Sequence, residues 1–206
     1  HFFPSLLKDY NLCLEAVKRY GISLQFIPKE HKDYTMCFEA VKNHQEALQY
    51  VPGKFKDYNM CLEAINKNGL SLQDVPEKYI DYNFCLKAIK KNGNALHCVP
   101  EKFRDYNIYF EAIKNKGYCL QHVPKEYKNY NLCLEAVKID GHALHDVPEK
   151  YIDYNLLLEM VKQNGKHIYF IPEKLIDFNL CLQAVKQDKD AFHFIPEKFK
   201  TEFQEY

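Results

Sequence analysis

The chain has 206 residues with 28 basic and 28 acidic side chains, so its formal net charge is zero with histidine neutral. That balance argues against a reader of nucleic-acid backbones, which carries a basic excess, and against a membrane-binding basic patch. At 47% hydrophobic residues there is material for a core, yet no apolar run approaches the ~20 residues that cross a bilayer.

In chain order the first regularity is proline. Pro4, Pro28, Pro52, Pro76, Pro100, Pro124, Pro148, Pro172 and Pro196 stand 24 residues apart, and there are no others. A fixed period of this size is the signature of a solenoid, in which each repeat packs on its neighbours. The first residues do not resemble a basic-then-apolar leader. The chain starts in mid-repeat at His1 without an initiator Met, which leads us to expect a segment of a longer array or protein.

The repeat from Pro76 to Val99 shows the elements. Asp81 stands where a helix N-cap is wanted, ahead of a periodic apolar run. The slot recurs as Asp9, Asp33, Asp57, Asp105, Asn129, Asp153, Asp177 and Thr201. A first helix of about ten residues is predicted after it, apolar around most of its girth, as sandwiching between neighbours requires. Gly93 is expected to end that helix in a left-handed conformation. Gly21, Gly69, Gly117, Gly141 and Gly165 share the slot, and Gln45 and Lys189 depart from it. A short second helix follows, and Val99 before proline ends it. Pro100 is expected at the first position of a brief helical turn whose Phe103 points inward. The expected fold is an all-α, right-handed α-solenoid: eight 24-residue repeats starting at 4, 28, 52, 76, 100, 124, 148 and 172, with a partial ninth at 196–206. One array over 1–206 needs no internal domain boundary.

The string Asp-Tyr-Asn-x-Cys-Leu-Glu-Ala-Val-Lys-x-x-Gly-x-Ala-Leu resembles the repeat of the domain of unknown function 4116 family. Stretches 85–96, 133–144 and 157–168 carry the likeness, and it extends over essentially the whole chain. The chain departs from the family pattern in the proline after every second helix and the cysteine in the first. The resemblance implies an α-helical repeat with no assigned activity, familiar in proteins of amoeba-associated bacteria, protists and large DNA viruses. It therefore implies an effector or viral protein as one setting, and transfers no catalytic residue.

Three kinds of side chain invite a chemical reading. Cys13, Cys37, Cys61, Cys85, Cys133 and Cys181 occupy one first-helix slot, which Tyr109 and Leu157 fill elsewhere. Equivalent positions in stacked helices lie roughly 8–10 Å apart, beyond the about 7 Å between Cα atoms that a disulfide allows. Buried free thiols are expected, and with them an intracellular reducing compartment, the host cytosol included. His142, His145 and Asp146 are metal-ligand candidates at three- and four-residue spacing, with His97 and His122 in earlier repeats. Against that, His145 shares a polar slot with Gln25, Gln49, Gln73, His97, Gln121, Tyr169 and His193. Tyr10, Tyr34, Tyr58, Tyr82, Tyr106, Tyr130 and Tyr154 form an aromatic ladder continued by Phe178. Such a ladder stacks bases or packs repeats, and the neutral charge favours packing.

The remaining information lies in slots that vary. One reads Phe26, Tyr50, Asp74, Cys98, His122, Asp146, Phe170 and Phe194; a second reads Ile22, Glu46, Leu70, Asn94, Tyr118, His142, Lys166 and Asp190. Four residues apart on a helix, the two are expected to share one face. A constant scaffold carrying a varied stripe points to a non-enzymatic protein–protein interaction module with no cofactor and no metal. A nucleic-acid reader with one repeat per base, or a spacer or self-association array attached to a catalytic domain, are the alternatives.

Overall fold

The computed structural model describes residues 9–205, without the side chains of Gln204 and Glu205. Pro4, the start of the first repeat and Tyr206 lie outside the described residues. The fold is an all-α solenoid, and among the described residues there is no strand. Two compact units divide the chain, one ending at Ile108 and the other beginning at Tyr109.

Eight α-helices of ten residues recur at the sequence period: α1 (Tyr10–Arg19), α2 (Tyr34–Asn43), α3 (Tyr58–Lys67), α4 (Tyr82–Lys91), α5 (Tyr106–Asn115), α6 (Tyr130–Ile139), α7 (Tyr154–Gln163) and α8 (Phe178–Gln187). Each begins where the caps predict. Asp33 accepts from the Met36 N–H at 2.8 Å, Asp81 from Phe84 at 2.7 Å and Asn129 from Leu132 at 2.9 Å. Asp9, Asp57, Asp105, Asp153 and Asp177 do the same. Thr201 departs: its backbone is right-handed helical and it follows α9 (Glu197–Lys200) as a C-cap. Each of the four-residue sets Met60, Cys61, Ala64, Ile65 and Phe84, Cys85, Ala88, Ile89 is wholly buried. Fully burying a Leu, Ile or Met side chain is worth ~1.5–3 kcal/mol. The helices hold mainly by this packing, since isolated helices shorter than ~12–15 residues are marginal in water.

The second element is a six-residue 3₁₀ helix, as in Gly69–Asp74, Gly93–Cys98 and Gly141–Asp146. Its bonds close to the third residue back: Ser71 N–H reaches the Asn68 carbonyl at 3.0 Å and Val75 reaches Leu72 at 3.2 Å. At three residues per turn, positions i and i+3 eclipse, which places Gly69 and Leu72 on one buried edge. A second capping slot joins the two helices. Asn68, Asn92, Asp140, Asn164 and Asp188 each end an α-helix in extended conformation and accept the N–H two residues on.

The glycine expectation is corrected, because no residue, glycine included, has positive φ among the described backbone. The requirement is steric. A Cβ on Gly21 would fall on the Ala40 carbonyl oxygen, one on Gly69 on that of Ala88, and one on Gly165 on that of Ala184. On Gly117 it would sit 2.5 Å from the Ala136 oxygen. Glycine therefore lets a 3₁₀ segment lie directly on the last turn of the next helix. Gln45 holds the same slot half-buried, as a position with ordinary φ allows.

The proline expectation is corrected as well. Pro76 precedes the three-residue 3₁₀ turn Glu77–Tyr79 as its N-cap, at φ −57° and ψ 137°. Its ring sets φ, and its carbonyl accepts the Tyr79 N–H at 3.0 Å. Substituting Gly69→Ala should lower stability by about 1–3 kcal/mol through this overpacking. Gly53→Ala, which meets nothing within 4 Å, should leave the melting temperature nearly unchanged. Thermal unfolding followed by circular dichroism compares the two.

Candidate interaction surface

The 3₁₀ segments present the varied slots. Phe26, His122 and Phe194 are exposed, while Tyr50, Asp74, Cys98, Asp146 and Phe170 are half-buried. In the second slot Glu46, His142 and Asp190 are exposed and Ile22, Leu70, Asn94, Tyr118 and Lys166 half-buried. Gln25, Gln49, Gln73, His97, Gln121, His145, Tyr169 and His193 are all exposed. The two varied slots do not share a face within one repeat, because four residues on a 3₁₀ helix turn through about 480°, leaving them ~120° apart. Within the second compact unit they meet across repeats. The His142 ring lies 4.1 Å from the Phe170 ring; within the second slot, Lys166 Nζ lies 2.9 Å from an Asp190 carboxylate oxygen, and 3.4 Å from one of the helix-ending Asp188. Glu46, Leu70 and Asp74 likewise border one cleft of about 120 Å³.

A largely apolar concavity on this edge lies in the second compact unit. It measures about 340 Å³ and is lined by Ile139, Lys166, His167, Tyr169, Phe170 and Phe194, beside Asp140 and Asn164. The rings are arranged edge to face: Tyr169 to Phe170 at 5.3 Å and Tyr169 to Phe194 at 5.7 Å. Tyr169 is 66% and Phe194 42% exposed, so two large rings face outward.

His167 belongs to this site and went unnoticed in the sequence. Its slot holds Ser23, Ala47, Ser71, Ala95, Cys119, Ala143 and Ala191 in the other repeats. That departure from small residues is the signal that marks it. The side chain is 7% exposed, and its Nδ1 has no hydrogen-bond partner. Burial pushes its pKa down, His142 adding to the effect while Asp140 and a hydrogen bond to the Val137 backbone oppose it.

The metal candidates are not assembled. Among the described residues no three His, Cys, Asp or Glu side chains are grouped to hold an ion. His142 is turned onto Phe170, and Asp146 is rotated away from the His142–His145 edge by the 3₁₀ geometry. The tyrosine ladder is an inter-repeat tether. Tyr10 donates its hydroxyl hydrogen to the Asp33 cap at 2.7 Å, Tyr82 to Asp105 at 3.3 Å and Tyr130 to Asp153 at 3.2 Å. Phe178, without a hydroxyl, packs on Phe203 at 5.1 Å. The six slot cysteines are buried, as is Cys119, and Cys98 is half-buried. Burial pushes the thiols of Cys37, Cys61, Cys85, Cys119, Cys133 and Cys181 up to about 11.

A family model described as a domain of unknown function (DUF4116) matches residues 33–80, 81–128, 105–152, 129–176 and 153–200. Every window opens on an N-cap residue and spans two of the 24-residue repeats. No curated protein and no solved structure matches the chain.

His167 carries a pH dependence. Its folded pKa lies below the ordinary 6.5, so its contribution is complete above that value. As pH falls through the window below it, the unfolded chain binds a proton that the folded chain refuses. Stability then drops by up to about 1.4 kcal/mol per pH unit. Urea unfolding at pH 7.5 and 5.5 should show a steeper loss for the wild type than for His167→Ala.

Proposed function

The chain belongs to that family, whose description assigns no activity, and from its own residues we propose a non-enzymatic repeat scaffold that binds a protein partner along the 3₁₀ edge. The observation that carries this reading is the contrast between slots. Core positions repeat almost unchanged, whereas the outward slots run through aromatic, acidic, basic and amide side chains. Where they turn most apolar they border a cleft with Tyr169 and Phe194 exposed. Rigid aromatic anchors beside a concavity are what partner hot spots use. Tyr169, Phe170 and His167 all fall in the repeat that also replaces the usual first-helix Cys and Ala by Leu157 and Met160. That repeat has been remodelled inside and out.

The chemistry of the thiols fits the same reading. Burial holds them away from the thiolate that nucleophilic catalysis and metal binding use, which favours packing roles. We place the protein in a reducing intracellular compartment with its thiols free.

Two outcomes test this. Tyr169→Ala combined with Phe194→Ala should abolish capture of a partner from parent- or host-cell lysate while the melting temperature stays within ~2 °C, since both rings are exposed. Capture that survives removes this cleft from the interface. Thiol titration with a disulfide reagent should find eight thiols in the unfolded chain and Cys98 reacting first in the folded one. Six rapidly reacting thiols in the folded state would contradict the packing role.

A further inference from the structure

The turns after the prolines carry a pattern of their own, and two of them break it. After the proline, five repeats place Glu77, Glu101, Glu149, Glu173 and Glu197, each followed by lysine. The repeats at Pro28 and Pro124 reverse the order to Lys29-Glu30 and Lys125-Glu126. Four residues after the proline the same two have Lys32 and Lys128, in a slot that is also basic at Lys56, Arg104 and Lys200 and is isoleucine at Ile80, Ile152 and Ile176. In both, the following repeat then supplies the lysine that most repeats carry two residues after the proline, here Lys54 or Lys150. The three choices coincide nowhere else from Pro28 to Pro172.

In the fold they converge. Lys29, Lys32 and Lys54 border a cleft of about 390 Å³ floored by Tyr50, Val51 and Pro52. Lys125, Lys128 and Lys150 border a second, also about 390 Å³, against Val147 and Pro148, with His145 and Asp146 on its rim. Each cleft lies inside a different compact unit. The central lysine is held in place: Lys32 Nζ donates to the Tyr50 carbonyl at 3.3 Å and Lys128 Nζ to the Asp146 carbonyl at 2.9 Å. Lys54 and Lys150 are steadied over the Phe55 and Tyr151 rings, each at 4.7 Å. Among the described residues no carboxylate lies within ion-pair distance of these six ammonium groups. Burial and the charge of Lys29 push the Lys32 pKa down, with Cys37 opposing.

We propose that each three-lysine cleft binds a phosphate group, carried as a phosphate ester or a diphosphate, with the Lys29–Lys32–Lys54 cleft the tighter of the two. Three ammonium groups offer separate point charges and rotatable donors, which suit the splayed oxygens of a phosphate dianion better than the planar fork that a carboxylate prefers. The Asp146 side chain on the second rim subtracts charge there. An extended anionic surface is a poorer occupant, because the turns at Pro76 and Pro100, between the two clefts in sequence, place Glu77 and Glu101 beside their lysines. A discrete phosphate meets only the cleft.

The test uses composition-neutral swaps that restore the order found in the other repeats and so leave folding intact. Lys29→Glu with Glu30→Lys exchanges the pair in one cleft; Lys125→Glu with Glu126→Lys does so in the other. Calorimetric titration with pyrophosphate at low ionic strength, where screening is least, should show saturable binding to the wild type. The first swap should remove the tighter event, weakening it at least tenfold, and both swaps together should remove all saturable binding, with melting temperatures unchanged. A phosphoserine peptide titrated in parallel distinguishes the source: tighter binding than pyrophosphate assigns the group to a phosphorylated protein, weaker binding to a small phosphorylated molecule. Absence of saturable pyrophosphate binding to the wild type, or an isotherm that neither swap alters, would overturn the proposal.

Discussion

The architecture rests on one close approach, a bare glycine Cα laid against the carbonyl of the alanine 19 residues on. Gly21 on Ala40, Gly69 on Ala88, Gly117 on Ala136 and Gly165 on Ala184 are four instances of the same contact. A Cβ at these four glycines would meet that carbonyl oxygen, so the 3₁₀ segment could not lie as close to the helix that it covers. Each repeat must return its 3₁₀ segment to the same place on the next helix.

Around that contact the repeats are tied by polar groups that serve two ends at once. The N-cap aspartate of one repeat accepts from its own helix and from the tyrosine hydroxyl of the preceding repeat, as Asp33 does with Met36 and Tyr10. Asn68 accepts from Leu70 in its own repeat and from Asn92 in the next at 3.1 Å. The surface free to vary is what these duties leave, namely the outward positions of the 3₁₀ edge and the residues flanking each proline. The aromatic cleft occupies the first and the lysine clefts the second.

Much of this was legible in the residues. The period, the aspartate caps, the ten-residue helices and the burial of the cysteine slot all follow from local chemistry that a single repeat displays. The rest depended on geometry between repeats. Asparagine or aspartate ahead of the glycine is ambiguous between ending one helix and starting another, and it does both. Glycine suggests a left-handed turn unless the neighbouring carbonyl is in view. Six residues can close α or 3₁₀ turns, and that choice decides which side chains share a face; with 3₁₀ closure the two varied slots lie ~120° apart within a repeat. His167 is marked only by comparison between repeats, since it stands where the others have alanine, serine or cysteine.

The claim that close glycine–helix approach, and not left-handed backbone, sets the repeat is open to direct measurement. In a nuclear Overhauser spectrum of the labelled protein, the Hα protons of Gly21, Gly117 and Gly165 should show strong cross-peaks to the amide protons of His44, Asp140 and Asp188, because a Cβ at those glycines would lie 2.9–3.2 Å from the three nitrogens. Missing cross-peaks, together with couplings that place these glycines at positive φ, would contradict the account.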